Sequence, residues 1–123
     1  MKKILVVDDE EDLRNAIVAA LRSRGFETVE AENGIDAYNL AKTTFPDLVI
    51  SDVMMYTGSG FILREFLKRD DRTSRIPMIL MTGHAQGAGA WGAEPEMEYL
   101  EKPFSMDELL AFVDKKLGPQ SKS

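Results

Sequence analysis

The chain has 123 residues, 44% of them hydrophobic, which suits one domain with an ordinary core rather than two domains. It contains no cysteine, so disulfides, thiolate metal sites and thiol nucleophiles are excluded, and a reducing cytoplasm is the expected setting. A formal net charge of −6 argues against direct contact with nucleic acid or an anionic membrane, whose surfaces favour Lys and Arg.

Met1-Lys2-Lys3 is a basic start, but the apolar run Ile4 to Val7 stops at Asp8, far short of a signal or membrane-spanning segment. Residues 3–8 read as a first strand. Leu13, Ile17 and Leu21 then repeat at i, i+4, i+8 and mark a helix, with Asp9 as its expected N-cap and Gly25 as its stop. A second strand is expected over residues 27–31. A second helix follows from Asn33, with Ala37, Leu40 and Ala41 inward. It ends before Phe45-Pro46, because a residue preceding proline avoids the helical region. A third strand covers residues 47–52. The third helix, Gly60 to Arg69, is expected to turn Ile62, Leu63, Phe66 and Leu67 to its apolar side.

A fourth strand is expected over residues 76–81. The alternation calls for a helix between Thr82 and Tyr99, yet Gly83, Gly87, Gly89 and Gly92 would each cost about 1 kcal/mol relative to alanine. That helix is expected to be short, irregular or absent. Residues 97–101 form a fifth strand. The last helix has Ser105 and Glu108 as a capping box, Leu109, Val113 and Leu117 as its stripe, and Gly118-Pro119 as its end. The domain is expected to occupy residues 1–118, and residues 119–123 to form a disordered tail.

Short apolar runs alternating with helical periods are the pattern of a parallel sheet covered on both faces. Ile4 to Val7, Leu48 to Ile50 and Met78 to Met81 are continuously apolar, as central strands should be. Glu27-Thr28-Val29-Glu30 and Glu96-Met97-Glu98-Tyr99 carry charges suited to edges. The expected fold is therefore α/β, a flavodoxin-like doubly wound five-stranded parallel sheet of order 2-1-3-4-5. In this fold ligands bind beyond the carboxyl ends of strands one and three.

In that order Asp8 and Asp9 lie beside Asp52, because neighbouring strands are roughly 4.8 Å apart. Two like charges about 5 Å apart repel by about 3 kcal/mol at an effective dielectric of 20, whereas an N-cap contributes only about 1 kcal/mol. Capping does not justify three acids together; a bound cation does. An all-oxygen site suits Mg²⁺ or Mn²⁺, whereas Zn²⁺ would want His or Cys, and the only histidine is His84. Asp52, ending the central strand, is placed to attack phosphorus and form an aspartyl phosphate. Thr82 can donate a hydrogen bond to a phosphoryl oxygen and Lys102 can set a positive charge beside another. Taken singly, Thr82 reads as a turn residue and Lys102 as a solvated lysine; their joint position raises both.

Ile4 to Glu10, Asp52-Val53-Met54-Met55 with Gly60 eight residues after the acid, Thr82-Gly83, and Tyr99 to Phe104 together resemble a response-regulator receiver domain, over residues 2 to 117. This is the CheY-like module of two-component signalling. The resemblance implies that Asp52 accepts a phosphoryl group from a histidine kinase or phosphotransfer protein. It implies that Asp9, Asp52 and the backbone carbonyl of Met54 bind Mg²⁺ directly, with Asp8 acting through water, and that the Lys102–Pro103 bond is cis. Thr82 and Tyr99 correspond to the family's switch pair, whose movement on phosphorylation would be read by an output protein. A monomer or weak dimer is expected. The sequence departs from the family at Tyr56, where proline is usual, and in the Gly-rich stretch Ala85 to Glu98. Met54 and His84 fall at positions that tune phosphoryl lifetime in the family.

The resemblance also implies that the chain is no enzyme beyond self-phosphorylation and slow self-dephosphorylation. It would act as a stand-alone regulator, or as a receiver module of a larger response regulator or hybrid histidine kinase. A phosphatase with an aspartate nucleophile is the remote alternative. Such enzymes carry a second Asp two residues after the nucleophile, where Asp8 is followed by Glu10.

Overall fold

The structure, a computed structural model, describes residues 1–53, 60–83 and 97–118. In chain order the elements are β1 (Lys3–Val7), α1 (Glu11–Ser23), β2 (Glu27–Ala31), α2 (Gly34–Thr44), β3 (Leu48–Asp52), α3 (Gly60–Arg69), β4 (Met78–Thr82), β5 (Met97–Glu101) and α4 (Met106–Leu117). The expected fourth helix and the tail after Gly118 lie outside the described residues. The strands form one parallel sheet in the order β2-β1-β3-β4-β5, with the charged strands at its edges as their composition predicts.

Strand alternation divides the core in two. Ile4, Val6, Leu48, Ile50, Ile79, Met81 and Leu100 face one side, where they pack with Ile17, Val18 and Leu21 of α1 and Leu109, Leu110 and Val113 of α4. Leu5, Val7, Val49, Met78 and Leu80 face the other side and meet Ala37 and Ala41 of α2 and Leu63 and Leu67 of α3. The central strands are covered on both faces, which is why they read as unbroken apolar runs.

Local chemistry sets the boundaries. Asn33 Oδ1 accepts from the Asp36 N–H at 2.8 Å and starts α2. The capping box at α4 is complete, with Ser105 Oγ accepting from the Glu108 N–H at 3.0 Å and Glu108 Oε1 from the Ser105 N–H at 3.1 Å. After α1, Gly25 takes φ 90°, a left-handed turn that glycine enters without steric cost. β4 begins with the unbroken apolar run at Met78, two residues later than the strand expected from residue 76, after Pro77, which has no N–H to donate; the Pro77 carbonyl accepts from the Val49 N–H at 3.0 Å.

Two further expectations fail. Asp9 is not the N-cap of α1: Glu10 stands there, and its side chain makes no capping bond. On α3 the buried stripe is Gly60, Leu63, Arg64 and Leu67, at i, i+3, i+4, i+7, while Ile62 and Phe66 are 50% and 40% exposed. One helix face can meet the sheet, and Ile62 and Phe66 lie beside that face, toward α2, where the Phe66 and Tyr38 rings are 5.5 Å apart.

Candidate phosphoryl-transfer site

The carboxyl edge of the sheet gathers most of the expected residues. Asp8 follows β1 by one residue, Asp52 ends β3, Thr82 ends β4 and Lys102 follows β5. Register makes this an assembly rather than a list: Val7 pairs with Ser51, Asp52 with Met81 and Thr82 with Glu101, so the ends of four adjacent strands lie level. By the strand alternation, Asp8, Asp52 and Lys102 continue the face covered by α1 and α4. Thr82 and Tyr99 continue the opposite face, with Tyr99 across from Leu80 and packed against the α2–α3 core.

Asp8, Asp9 and Asp52 each offer an oxygen within 4.8 Å of the others, and Lys102 Nζ lies 3.4 Å from Asp52 Oδ1. Asp8 and Asp52 are buried, and Asp9 is the most exposed of the three. The Asp8 carboxylate is the telling one. Its Oδ1 accepts from the Glu10 N–H at 2.8 Å, while its Oδ2, fully buried, has no hydrogen-bond partner among the described residues. Burial above all, then the nearby Asp52 and Asp9 charges, raise its pKa above the ordinary aspartate value; the Glu10 bond and Lys102 oppose the rise. A buried anionic oxygen without a donor is costly in a protein interior. Three carboxylates and an orphaned oxygen fit a hard divalent cation, for which oxygen ligands are the natural set.

Packing behind Asp52 is tight. Its backbone carbonyl accepts from Ser51 Oγ at 3.0 Å, and a Cβ on Gly60 would stand 2.7 Å from that same carbonyl and 2.8 Å from Leu80 Cδ2. The Gly60 N–H donates to the Val53 carbonyl at 3.0 Å, which ties the start of α3 to the residue after Asp52. Thr82 is buried, and its carbonyl accepts from the Lys102 N–H at 2.7 Å, which ties β4 to the residue bearing the ammonium. The Lys102–Pro103 peptide is cis, as the resemblance implies. The Met54 carbonyl, Tyr56 and His84 lie outside the described residues.

Sequence reasoning missed Arg14. It is 8% exposed, and its Nη1 donates to the backbone carbonyl of Asp8 at 2.7 Å. A signal existed: Arg14, Ile17, Val18 and Leu21 stand at i, i+3, i+4, i+7, so a charge occupies a position of the buried stripe.

A family model described as the response regulator receiver domain matches residues 4–114. The phosphate regulon transcriptional regulatory protein PhoB of Pseudomonas aeruginosa is 40% identical over 116 residues, which are 89% of this chain and 49% of that protein. The chain thus spans about half the length of PhoB and of several other curated relatives it matches. Protein PilH of the same organism is 34% identical over 93% of this chain and 96% of its own length. Among solved structures, the receiver domain of a sensor histidine kinase from Pseudomonas aeruginosa superposes with a TM-score of 0.85 at 28% identity, covering 95% of this chain and 98% of that one. That structure has a magnesium ion coordinated in its active-site cleft.

Proposed function

Because the chain belongs to the response regulator receiver domain family, we propose that it is a phosphorylation-activated switch whose phosphoryl acceptor is Asp52. One observation carries this reading: the Asp52 carboxylate lies between the acids that follow β1 and the ammonium of Lys102, at 3.4 Å, on the rim where strand ends converge. The phosphodonor is a phosphohistidine of a histidine kinase or phosphotransfer protein. An Asp52 oxygen forms the new O–P bond as the P–N bond breaks, and the imidazole leaves with the electron pair and takes up a proton.

Asp8, Asp9 and Asp52 would hold Mg²⁺, or Mn²⁺, which when bound supplies positive charge against the phosphoryl oxygens. Lys102 faces the same oxygens with its ammonium, and Thr82 offers a hydroxyl donor from the neighbouring strand. Thr82 and Tyr99, on one face of β4 and β5, form the switch that an output protein reads. Residues 1–118 act as one receiver domain in the cytoplasm, as a monomer or weak dimer. Among the described residues no helix is long and apolar enough to cross a membrane. Beyond slow loss of its own phosphoryl group, the domain turns over no substrate.

Incubation with Mg²⁺ and acetyl phosphate or phosphoramidate should add one phosphate-sized mass to the intact protein. Hydroxylamine should remove it, and Asp52→Asn should show no gain. Equal labelling of Asp52→Asn, or no labelling where a control receiver is labelled, would sink the proposal.

A further inference from the structure

We infer that Arg14 is a positioning residue for the acidic cluster: by clamping the backbone of Asp8 from the β2 side, it sets the cluster's affinity for a divalent cation. The inference rests on the cation-binding reading above and goes beyond it.

Asp8 sits one residue past the β1–β2 ladder, which ends at Val7 and Ala31. Its N–H still donates to the Ala31 carbonyl at 3.1 Å, but beyond the ladder its own carbonyl takes a side-chain donor, Arg14 Nη1 at 2.7 Å. Arg14 lies in the first turn of α1 and reaches back toward the N-terminus, as helical side chains do. Its guanidinium is oriented in turn by β2 and the residue that follows it, with Nε donating to Glu30 Oε1 at 3.1 Å and Nη2 lying 3.9 Å from Glu32 Oε1. A planar fork can serve Asp8 and Glu30 at once; a lysine ammonium on a flexible stem cannot reproduce both branches. Together with the Glu10 N–H on Oδ1, these contacts fix Asp8 at its N–H, its carbonyl and one carboxylate oxygen. The remaining oxygen, Oδ2, is the one without a donor among the described residues. Groups that orient a metal's ligands in this way commonly govern its affinity.

Charge alone gives the opposite sign, which makes the idea testable. A guanidinium near the cluster repels a second cation, so a purely electrostatic Arg14 predicts tighter binding in Arg14→Met and no change in Arg14→Lys. A positioning Arg14 predicts weaker binding in both. Mg²⁺ and Mn²⁺ would be titrated into the whole chain and its two variants by calorimetry and amide NMR shifts. Circular dichroism in EDTA would establish that each variant is folded at the titration temperature. The expected result is an affinity lower by about tenfold or more in Arg14→Met, within the range typical of groups that orient metal ligands, and a smaller loss in Arg14→Lys. If Arg14→Met does not fold, Arg14→Lys decides the question, because the charge account leaves it at the wild-type affinity. Wild-type affinity in the folded variants, even with lowered melting temperatures, would overturn the inference and leave the cation site standing. Failure of the wild-type protein to bind either ion would overturn both.

Discussion

Asp8 is a buried carboxylate with two acidic neighbours, Asp9 and Asp52. Its pKa in the fold lies above the ordinary 3.8, chiefly through burial, so the folded chain binds that proton more tightly than the unfolded one. The sign follows from linkage: Asp8 favours folding most below about 3.8, and that contribution is lost as pH rises through the raised value. In EDTA at pH 7, Asp8→Asn should therefore melt a few degrees above wild type, since Asn Oδ1 can still accept from the Glu10 N–H. The gap should close as pH falls toward 3.8, and a gap of constant size would show that ionisation is not its cause. Gly60 answers to sterics instead. Its missing side chain leaves room for the Asp52 carbonyl and Leu80, so Gly60→Ala is overpacked at both contacts. It should lose about 1–3 kcal/mol, read as a lower urea midpoint at unchanged slope.

On α3 the helical period sorts apolar residues by consequence rather than by hydrophobicity. Leu63 is 1% exposed in the core under the sheet, whereas Ile62 is 50% exposed beside it. Leu63→Ala should cost about 2–5 kcal/mol, and Ile62→Ala less than about 1 kcal/mol, by urea denaturation. Comparable losses would mean that α3 is rotated about its axis relative to the arrangement described. Both residues are large aliphatics side by side in one apolar run, so composition could not rank them. Arg64 makes the converse point: it occupies a buried position of the stripe, its Nη1 lying 3.4 Å from the Ser74 carbonyl, which a simple apolar count assigns to solvent.

At the scale of the molecule, a cation bound as proposed would link metal binding to folding, because the three carboxylates converge only when β1 and β3 are paired. A cation that binds the folded chain alone stabilises it by RT ln(1 + [L]/Kd), about 2.7 kcal/mol at a hundredfold excess over Kd. Saturating Mg²⁺ should thus raise the melting temperature by several degrees in differential scanning calorimetry, and Asp9→Asn should lose most of that rise. An equal rise in the variant would assign the effect to general screening of the −6 charge.

Most of this architecture was legible in one dimension. Unbroken apolar runs at Ile4 to Val7, Leu48 to Ile50 and Met78 to Met81 identify central strands, and charged ones identify edges. Once the order is known, Asp8, Asp52, Thr82 and Lys102 must share a rim, because each stands at the end of its strand. Periodicity specifies which residues of one element share a face; it does not say what a neighbouring element brings to that face. Tertiary structure alone decided that Arg14 reaches the Asp8 carbonyl, that Asp8 Oδ2 has no donor among the described residues, that Glu10 rather than Asp9 stands at the helix N-cap, and that Ile62 and Phe66 turn outward. Each depends on contacts between side chains and backbone, or on the angle at which a helix meets the sheet, and both are set by packing in three dimensions.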